Sequence, residues 1–280
     1  MRRSLLFIPA NKPGMMQNAD IFAADSIIFD LEDAVAFSEK DSARILLHNF
    51  LQTFKPNYEV IIRINQIDHI NGLLDLEALV SDRIDAIMLP KARTASVKKL
   101  AELLASFEKA RKLKKTIKII PLLELAAAIL ETEAIACLPR VDGILLGAED
   151  LTNDMETERT IIGEEIFYPR SKIAYAAKAY GIDAIDTPFT DVNDDQGLSQ
   201  DAKKAKNLGM TAKAAIHPNQ IRYINEVFSP SKDQIAWALK VLEATKTNLG
   251  VFSLDGKMID KPIIERCQKI IEKAKKYRII

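Results

Sequence analysis

The chain has 280 residues, of which 48% are hydrophobic, and it carries 39 basic and 39 acidic residues. This length suits one large domain or two small ones, and the apolar share is enough to bury a sizeable core. The balanced charge argues against a dedicated nucleic-acid or membrane-surface protein, because either would need a basic excess on one face. Two distant cysteines, and no apolar run near the roughly 20 residues that span a bilayer, predict a cytoplasmic protein.

Short apolar, β-branched runs alternate with amphipathic helical patterns along most of the chain. These runs occupy residues 4–10, 26–32, 59–65, 86–91, 118–124, 143–150, 183–189 and 212–218. Several are nearly continuous in apolar character, as parallel strands covered on both faces must be. The clearest helical pattern spans 96–115, and another spans 170–180 and ends at Gly181.

Eight strand–helix alternations predict an α/β fold, specifically a TIM (β/α)8 barrel over residues 1–225. An open doubly wound sheet is the alternative. However, no G-x-G-x-x-G motif follows the first predicted strand, which removes the usual dinucleotide-binding reason for an open sheet.

Residues 226–280 follow the eighth predicted strand, and a barrel does not need them. Helical patterns cover 230–247 and 262–277, and the segment between them contains Asp-Gly-Lys, which is typical of a hairpin turn. We therefore predict a C-terminal helical extension that acts as a lid or as a contact with a neighbouring subunit.

Polar residues cluster where the predicted strands end. Strand two runs into Glu32 and Asp33, and strand three runs into Arg63. Strand five ends at Glu124 and strand six at Asp150, whereas we expect no such set at the strand starts. The carboxyl ends of the strands form the active-site face of α/β barrels. Charged residues are rarely buried without partners, so we expect a metal ion and an anionic substrate to supply them.

A metal here would be bound by carboxylates, because the chain has only three histidines and no H-E-x-x-H motif. Oxygen ligands select a hard ion such as Mg²⁺. Adjacent strands lie about 4.8 Å apart, so Glu124 and Asp150 can converge on one ion. Arg63 offers a planar fork suited to a carboxylate or an enolate oxygen. A metal facing an arginine would stabilise the enolate charge of an aldol or Claisen cleavage.

Two lysine features suggest other hypotheses. Lys91, at the end of strand four, raises a Schiff-base aldolase as a rival. The lysine-rich stretch 109–118 is typical of a solvated helix face, but Lys112, Lys114 and Lys115 could dock an acidic carrier protein.

Short motifs run through the chain almost from end to end. They are R-R-S-L-L-F-I-P (2–9), F-D-L-E-D-A-V (29–35), R-I-N (63–65), L-P-K (89–91), P-L-L-E (121–124), G-A-E-D-L (147–151), K-A-A-I-H-P-N-Q-I (213–221) and S-L-D-G-K-M-I-D (253–260). In this order and spacing, the chain resembles the citrate lyase beta subunits, within the HpcH/HpaI aldolase-like family of magnesium-dependent acyl-CoA lyases.

The resemblance implies roles for the strand-end residues. Glu124 and Asp150 would bind Mg²⁺, and Arg63 would contact the acyl substrate and take part in catalysis. Glu32 and Asp33 would line the site and order metal-bound water or substrate.

The resemblance also implies a reaction and partners. The chain would cleave a citryl thioester, carried on CoA or an acyl carrier protein, to oxaloacetate and an acetyl thioester. Asp260 would transfer a proton, often from an adjacent subunit of a trimer or hexamer, and the citrate lyase alpha and gamma subunits would be partners. A stand-alone citramalyl-CoA or malyl-CoA lyase or thioesterase, and a non-enzymatic scaffold subunit, are the alternatives.

Overall fold

The computed structural model describes residues 2–248 and 250–280, which form two compact units, Met1–Ile224 and Asn225–Ile280. The first unit contains the strands β1 (Ser4–Pro9), β2 (Ser26–Asp30), β3 (Glu59–Arg63), β4 (Ala86–Leu89), β5 (Lys118–Leu123), β6 (Gly143–Leu146), β7 (Asp183–Asp186) and β8 (Ala212–Ala215). They pair in parallel in sequence order, and β1 also pairs with β8, so the sheet closes. The predicted TIM barrel is confirmed, and the open sheet is wrong.

Helices cover the outside of this barrel. They are α1 (Pro13–Gln17), α2 (Lys40–Thr53), α3 (Ile70–Leu79), α4 (Thr94–Arg111), α5 (Ala126–Leu130), α6 (Thr132–Ala136), α7 (Ala148–Asp154), α8 (Phe167–Tyr180) and α9 (Asp195–Leu208). Helix α10 (Gln220–Phe228) begins in the first unit and ends in the second. Helix α4 stops at Arg111, short of the predicted 115, because Lys112 adopts a left-handed φ of 53° and closes the last turn. In the part of the chain that the structure describes, no helix is long and apolar enough to cross a membrane.

One apolar cluster takes side chains from all eight strands. Its members are Leu5, Ile28, Ile61, Ala86, Met88, Ile120, Leu122, Leu145, Ile185, Ala212 and Ala214. A cluster that draws on every strand lies inside the barrel, which is therefore packed with side chains and is not a pore.

The strand starts carry a charged cluster of their own, so the expectation that they would lack one is wrong. Arg2 is buried just before β1 and donates hydrogen bonds to Glu59 at 2.6 Å, to Asp142 at 2.7 Å and to Asp183 at 2.9 Å. These residues stand singly in the sequence, each beside an apolar run. Only closure of the barrel brings them together, which is why the sequence pattern does not show the cluster.

The lysine-rich stretch lies at this same end of the barrel. Strand β5 begins at Lys118, and Lys115 pairs with Asp85, just before β4, at 2.7 Å. Lys112 and Lys114 lie in the connection between α4 and β5. The carboxyl ends of the strands are at the opposite end of the barrel, so the predicted lysine face and the strand-end residues lie at different ends.

A buried ionic network joins β7 and β8 to the helices outside them. Lys213 on β8 donates to Asp186 on β7 and to Asp201 on α9, both at 2.6 Å. Arg170 on α8 donates to Asp186 at 2.8 Å and to Asp201 at 2.7 Å. Burial alone would raise the pKa of Asp201, but pairing with Lys213 and Arg170 outweighs burial and lowers that pKa to about 2. Two cations and two carboxylates therefore balance one another.

The second unit contains helix α11 (Lys232–Ala244), a hairpin of β9 (Phe252–Leu254) and β10 (Lys257–Ile259), and helix α12 (Lys261–Lys276). Asp255 and Gly256 form the hairpin turn with positive φ values of 51° and 75°, as Asp-Gly predicted. Asp260 caps α12, because its carboxylate accepts a hydrogen bond from the Ile263 N–H at 3.2 Å. The two helices share a small apolar core that includes Ile259.

The Asp201 network predicts a specific loss of stability in acid. Because the folded-state pKa of Asp201 is depressed, its ionised form stabilises the native state above its ordinary pKa, and this stabilisation is lost as the pH falls towards 2. The gap in unfolding free energy between wild type and Asp201→Asn should therefore shrink by on the order of 1 kcal/mol between pH 6 and pH 3. Urea unfolding at each pH measures this gap. Asp20→Asn, at an exposed position, is the control, and a gap that does not change with pH would contradict the prediction.

Candidate active site at the carboxyl ends of the strands

A cavity of about 420 Å³ opens at the carboxyl ends of the barrel strands. Four of the predicted site residues line it: Asp33, Arg63, Glu124 and Asp150. Apolar side chains from the top of the barrel core, including Phe7, Leu122 and Leu145, form its floor and walls. The cavity therefore lies on the face where α/β barrels carry their active sites.

The Arg63 guanidinium is held by Asp30, a residue that the sequence reading did not select. Nε donates to Asp30 Oδ1 at 2.7 Å and Nη2 donates to Oδ2 at 2.5 Å, which is a bidentate pair. The two residues are register partners across β2 and β3, so their side chains project on the same side. The fork that was predicted for the substrate is thus already occupied. Nη1 is the nitrogen that reaches the Glu32 and Asp33 carboxylates, at 3.0 and 3.3 Å.

The loop after β2, which carries Glu32 and Asp33, is fixed from two sides. Asp30 accepts hydrogen bonds from the backbone N–H of Glu32 at 2.9 Å and of Ala34 at 3.1 Å. Lys40, at the start of α2, donates to the carbonyl oxygens of Leu31 at 2.8 Å and Glu32 at 2.9 Å. The same aspartate therefore orients both the arginine and the acidic loop beside it.

Glu124 follows β5 and is only 4% exposed. Its Oε1 accepts a hydrogen bond from the backbone N–H of Lys91 at 2.6 Å. On its other side lies Gly147, where a Cβ would come within 2.8 Å of both Glu124 Cβ and Oε2. Glycine at this position is what allows the end of β6 to approach the carboxylate.

Asp150 lies in the first turn of α7, not at the end of a strand as predicted. Strand β6 ends at Leu146, and Gly147 begins the turn into the helix. The aspartate nevertheless lines the same cavity as Glu124, and its charge acts on that carboxylate.

The buried carboxylates of this site are harder to ionise than ordinary ones. Burial raises the pKa of Glu124 to about 7, and the charges of Asp150 and Asp33 add to the rise while Arg63 opposes it. Burial also raises the pKa of Glu32 to about 8, against the opposing charge of Arg63. Arg63 therefore lowers the pKa of these two carboxyls by less than burial raises it.

The donor set fits a magnesium ion. Glu32 Oε2 is buried and has no hydrogen-bond partner, since Arg63 Nη1 lies 3.0 Å away without the alignment of a hydrogen bond. Over residues 2–248 and 250–280, no group of three or more His, Cys, Asp or Glu side chains is arranged to hold a metal by itself. Mg²⁺ commonly takes one or two carboxylates as ligands and completes its shell with water and substrate. Glu124 and Asp150 could supply those two carboxylates.

The structure thus brings five of the predicted site residues together: Asp33, Arg63, Glu124 and Asp150 line the cavity, and Glu32 lies beside Arg63. Asp260 belongs to the second unit, where it caps α12. The Lys91 side chain is exposed, and the contact of this residue with Glu124 is made by its backbone. Asp30 could have been found only from the register of β2 against β3.

Known proteins resemble this chain over its whole length. It is 38% identical to the citrate lyase subunit beta of Leuconostoc mesenteroides subsp. cremoris, over 100% of this chain and 95% of that protein. It is 39% identical to the citrate lyase subunit beta of Haemophilus influenzae, over 98% and 97% of the two. A crystal structure of the protein CitE from Mycobacterium tuberculosis, in complex with magnesium, acetoacetate and coenzyme A, matches with a TM-score of 0.81 at 31% identity, over 97% of both chains.

Two family descriptions together span the chain. Residues 165–279 match the C-C bond lyases of the TIM-barrel fold, in accord with the closed barrel seen here. Residues 3–218 match the family described as HpcH/HpaI aldolase/citrate lyase, and these residues include the whole strand-end site. The chain therefore belongs to the HpcH/HpaI aldolase/citrate lyase family.

Proposed function

We propose that the chain is a Mg²⁺-dependent carbon–carbon lyase that cleaves a citryl thioester to oxaloacetate and an acetyl thioester, as the beta subunit of a citrate lyase. The observation that carries the proposal is the pair of carboxylates, Glu124 and Asp150, in one cavity with Arg63. The full-length similarity to citrate lyase subunits beta supports the choice of substrate.

In this proposal each site residue has a separate task. Glu124 and Asp150 would hold Mg²⁺, while Glu32 and Asp33 would orient water or substrate beside it. When bound, the ion would polarise the oxygen atoms of the oxaloacetate half of the substrate. Arg63 is fixed in direction by Asp30 and would donate a hydrogen bond from Nη1 to the thioester oxygen.

The proton balance of the cleavage can be written from these tasks. The carboxylate of Asp260 would take the proton of the C3 hydroxyl as the carbon–carbon bond breaks, and that bond's electron pair becomes the acetyl-thioester enolate. Arg63 would stabilise the enolate oxygen, and Asp260 would protonate the enolate carbon. One proton leaves oxygen and one reaches carbon, the thioester bond stays intact, and no oxidant or reductant is needed.

The same proposal extends to assembly. Asp260 would come from the C-terminal unit of an adjacent subunit in a homotrimer or hexamer, with that unit serving as lid or subunit contact. The cap on α12 supports this role, because it fixes the carboxylate at the end of the β9–β10 hairpin. A CoA or acyl-carrier thioester, alpha and gamma subunits as partners, and a cytoplasmic location complete the proposal.

The direct test is to supply substrates to the purified chain with Mg²⁺. Citryl-CoA should yield oxaloacetate, which malate dehydrogenase and NADH detect as it forms. Citramalyl-CoA and malyl-CoA are assayed in parallel for pyruvate and glyoxylate. Faster turnover of either would replace the citryl assignment with the stand-alone lyase, and release of free CoA would indicate a thioesterase.

Replacing the metal carboxylate tests whether the chain is an enzyme or a scaffold. Glu124→Gln should lower kcat/KM by about a hundredfold or more, because the variant loses one charged metal ligand. Calorimetry should show weaker Mg²⁺ binding, with an unchanged circular dichroism spectrum. Glu102→Gln, on the exposed face of α4, is the control. Full activity in Glu124→Gln would contradict the assignment, and an inactive wild-type chain that still joins a complex would favour the scaffold.

The proposed proton transfer by Asp260 can be separated from its role as the N-cap of α12. Asp260→Asn keeps a side chain that caps helices well, so α12 should persist while kcat falls with little change in KM. Co-expression of Asp260→Asn with Glu124→Gln tests the shared site, because mixed oligomers would contain some sites with both native residues. Recovered activity is expected. If the mixture stays inactive although mixed oligomers form, both residues must come from the same subunit.

A further inference from the structure

Lys91 stands beside the metal carboxylate but has no part in the reaction proposed above. It follows β4, its side chain is exposed, and its backbone has a left-handed φ of 47°. Its backbone N–H, by contrast, donates to Glu124 Oε1 at 2.6 Å. The contact that this lysine makes with the site therefore comes from its main chain.

The left-handed conformation is unfavourable for a residue with a Cβ, and such conformations tend to persist where function needs them. Here residue 91 lies between two amides that both reach β5 or the residue just after it. The Lys91 N–H bonds Glu124, and the Ala92 N–H bonds the Leu122 carbonyl oxygen at 3.2 Å. The backbone angles of residue 91 set the angle between these amides, so its positive φ is what directs both towards β5.

Glu124 is confined from the opposite side as well. Its Oε2 lies where a Cβ at position 147 would be 2.8 Å away, and Gly147 leaves that space open. One carboxylate oxygen is thus hydrogen-bonded by an amide and the other is bounded by a glycine. Replacing a group that orients a metal ligand typically weakens metal binding or activity by about 10- to 100-fold.

We propose that Lys91 is a positioning residue that acts through its backbone amide and left-handed conformation to hold Glu124 in the orientation that binds a divalent cation. The ammonium group is dispensable for this task, because the hydrogen bond to Glu124 is made by the backbone N–H. The inference rests on the proposed magnesium site and not on which thioester is cleaved.

Four variants at this position separate backbone from side chain. Lys91→Gly and Lys91→Asn tolerate positive φ, Lys91→Met removes the ammonium at similar length, and Lys91→Val places a β-branched residue where left-handed backbone is disfavoured. Calorimetry with MgCl₂ alone gives the dissociation constant without any substrate. The first three should bind close to wild type. Lys91→Val should bind about tenfold more weakly, because a hydrogen bond to a charged carboxylate is lost.

Each result decides the matter. Wild-type affinity in Lys91→Val, or a Lys91→Met protein as weak as Lys91→Val, would overturn the inference. If Lys91→Val does not fold, the comparison passes to the other variants: Lys91→Gly must bind Mg²⁺ at least as tightly as Lys91→Met and melt no lower, or the inference fails. Mg²⁺ binding that follows this pattern in a chain that cleaves no thioester would reject the proposed function and keep the role of Lys91.

Discussion

The carboxyl end of the barrel gathers several carboxylates around the Arg63 guanidinium, and the surrounding structure holds them in place. Asp30 takes two of the Arg63 nitrogens, and the third lies within 3.0 to 3.3 Å of the Glu32 and Asp33 carboxylates. Burial raises the pKa of both Glu32 and Glu124. A divalent cation bound beside these glutamates would stabilise their ionised form. The grouping of buried carboxylates therefore favours a metal site at this end of the barrel.

The means of holding these carboxylates is largely the main chain. The amide of residue 91 binds Glu124, glycine at 147 makes room for it, and Lys40 holds two carbonyl oxygens of the acidic loop. Barrel closure fixes the strand ends, so these backbone groups are placed before any ligand binds. The site therefore depends on a rigid scaffold more than on flexible side-chain pairing, as electrostatic preorganisation requires.

What the sequence could predict follows from the same geometry. Apolar runs that repeat eight times indicate closed parallel strands, and Glu124 and Arg63 were found because each ends such a run. Asp30 was missed because its role depends on the register of β2 against β3, which no local pattern encodes. The sequence predicts Asp150 at the end of a strand because the apolar run continues past Gly147, but the backbone turns there into α7. Contacts between residues that are distant in the sequence depend on how the strands close into the barrel. A short stretch of sequence does not encode that closure.

At each end of the barrel an arginine pairs with several carboxylates, and the comparison shows why a cluster of charges alone does not make a site. At the strand starts, Arg2 donates hydrogen bonds to three carboxylates in a tightly packed group. At the strand ends, Glu32 keeps a buried oxygen without a hydrogen-bond partner, and a cavity of about 420 Å³ lies beside Arg63. In the first cluster the Arg2 guanidinium and the carboxylates are hydrogen-bonded to one another, which stabilises the fold. The second retains capacity for a ligand, because a buried acceptor without a donor carries a desolvation cost that bound substrate or metal can relieve.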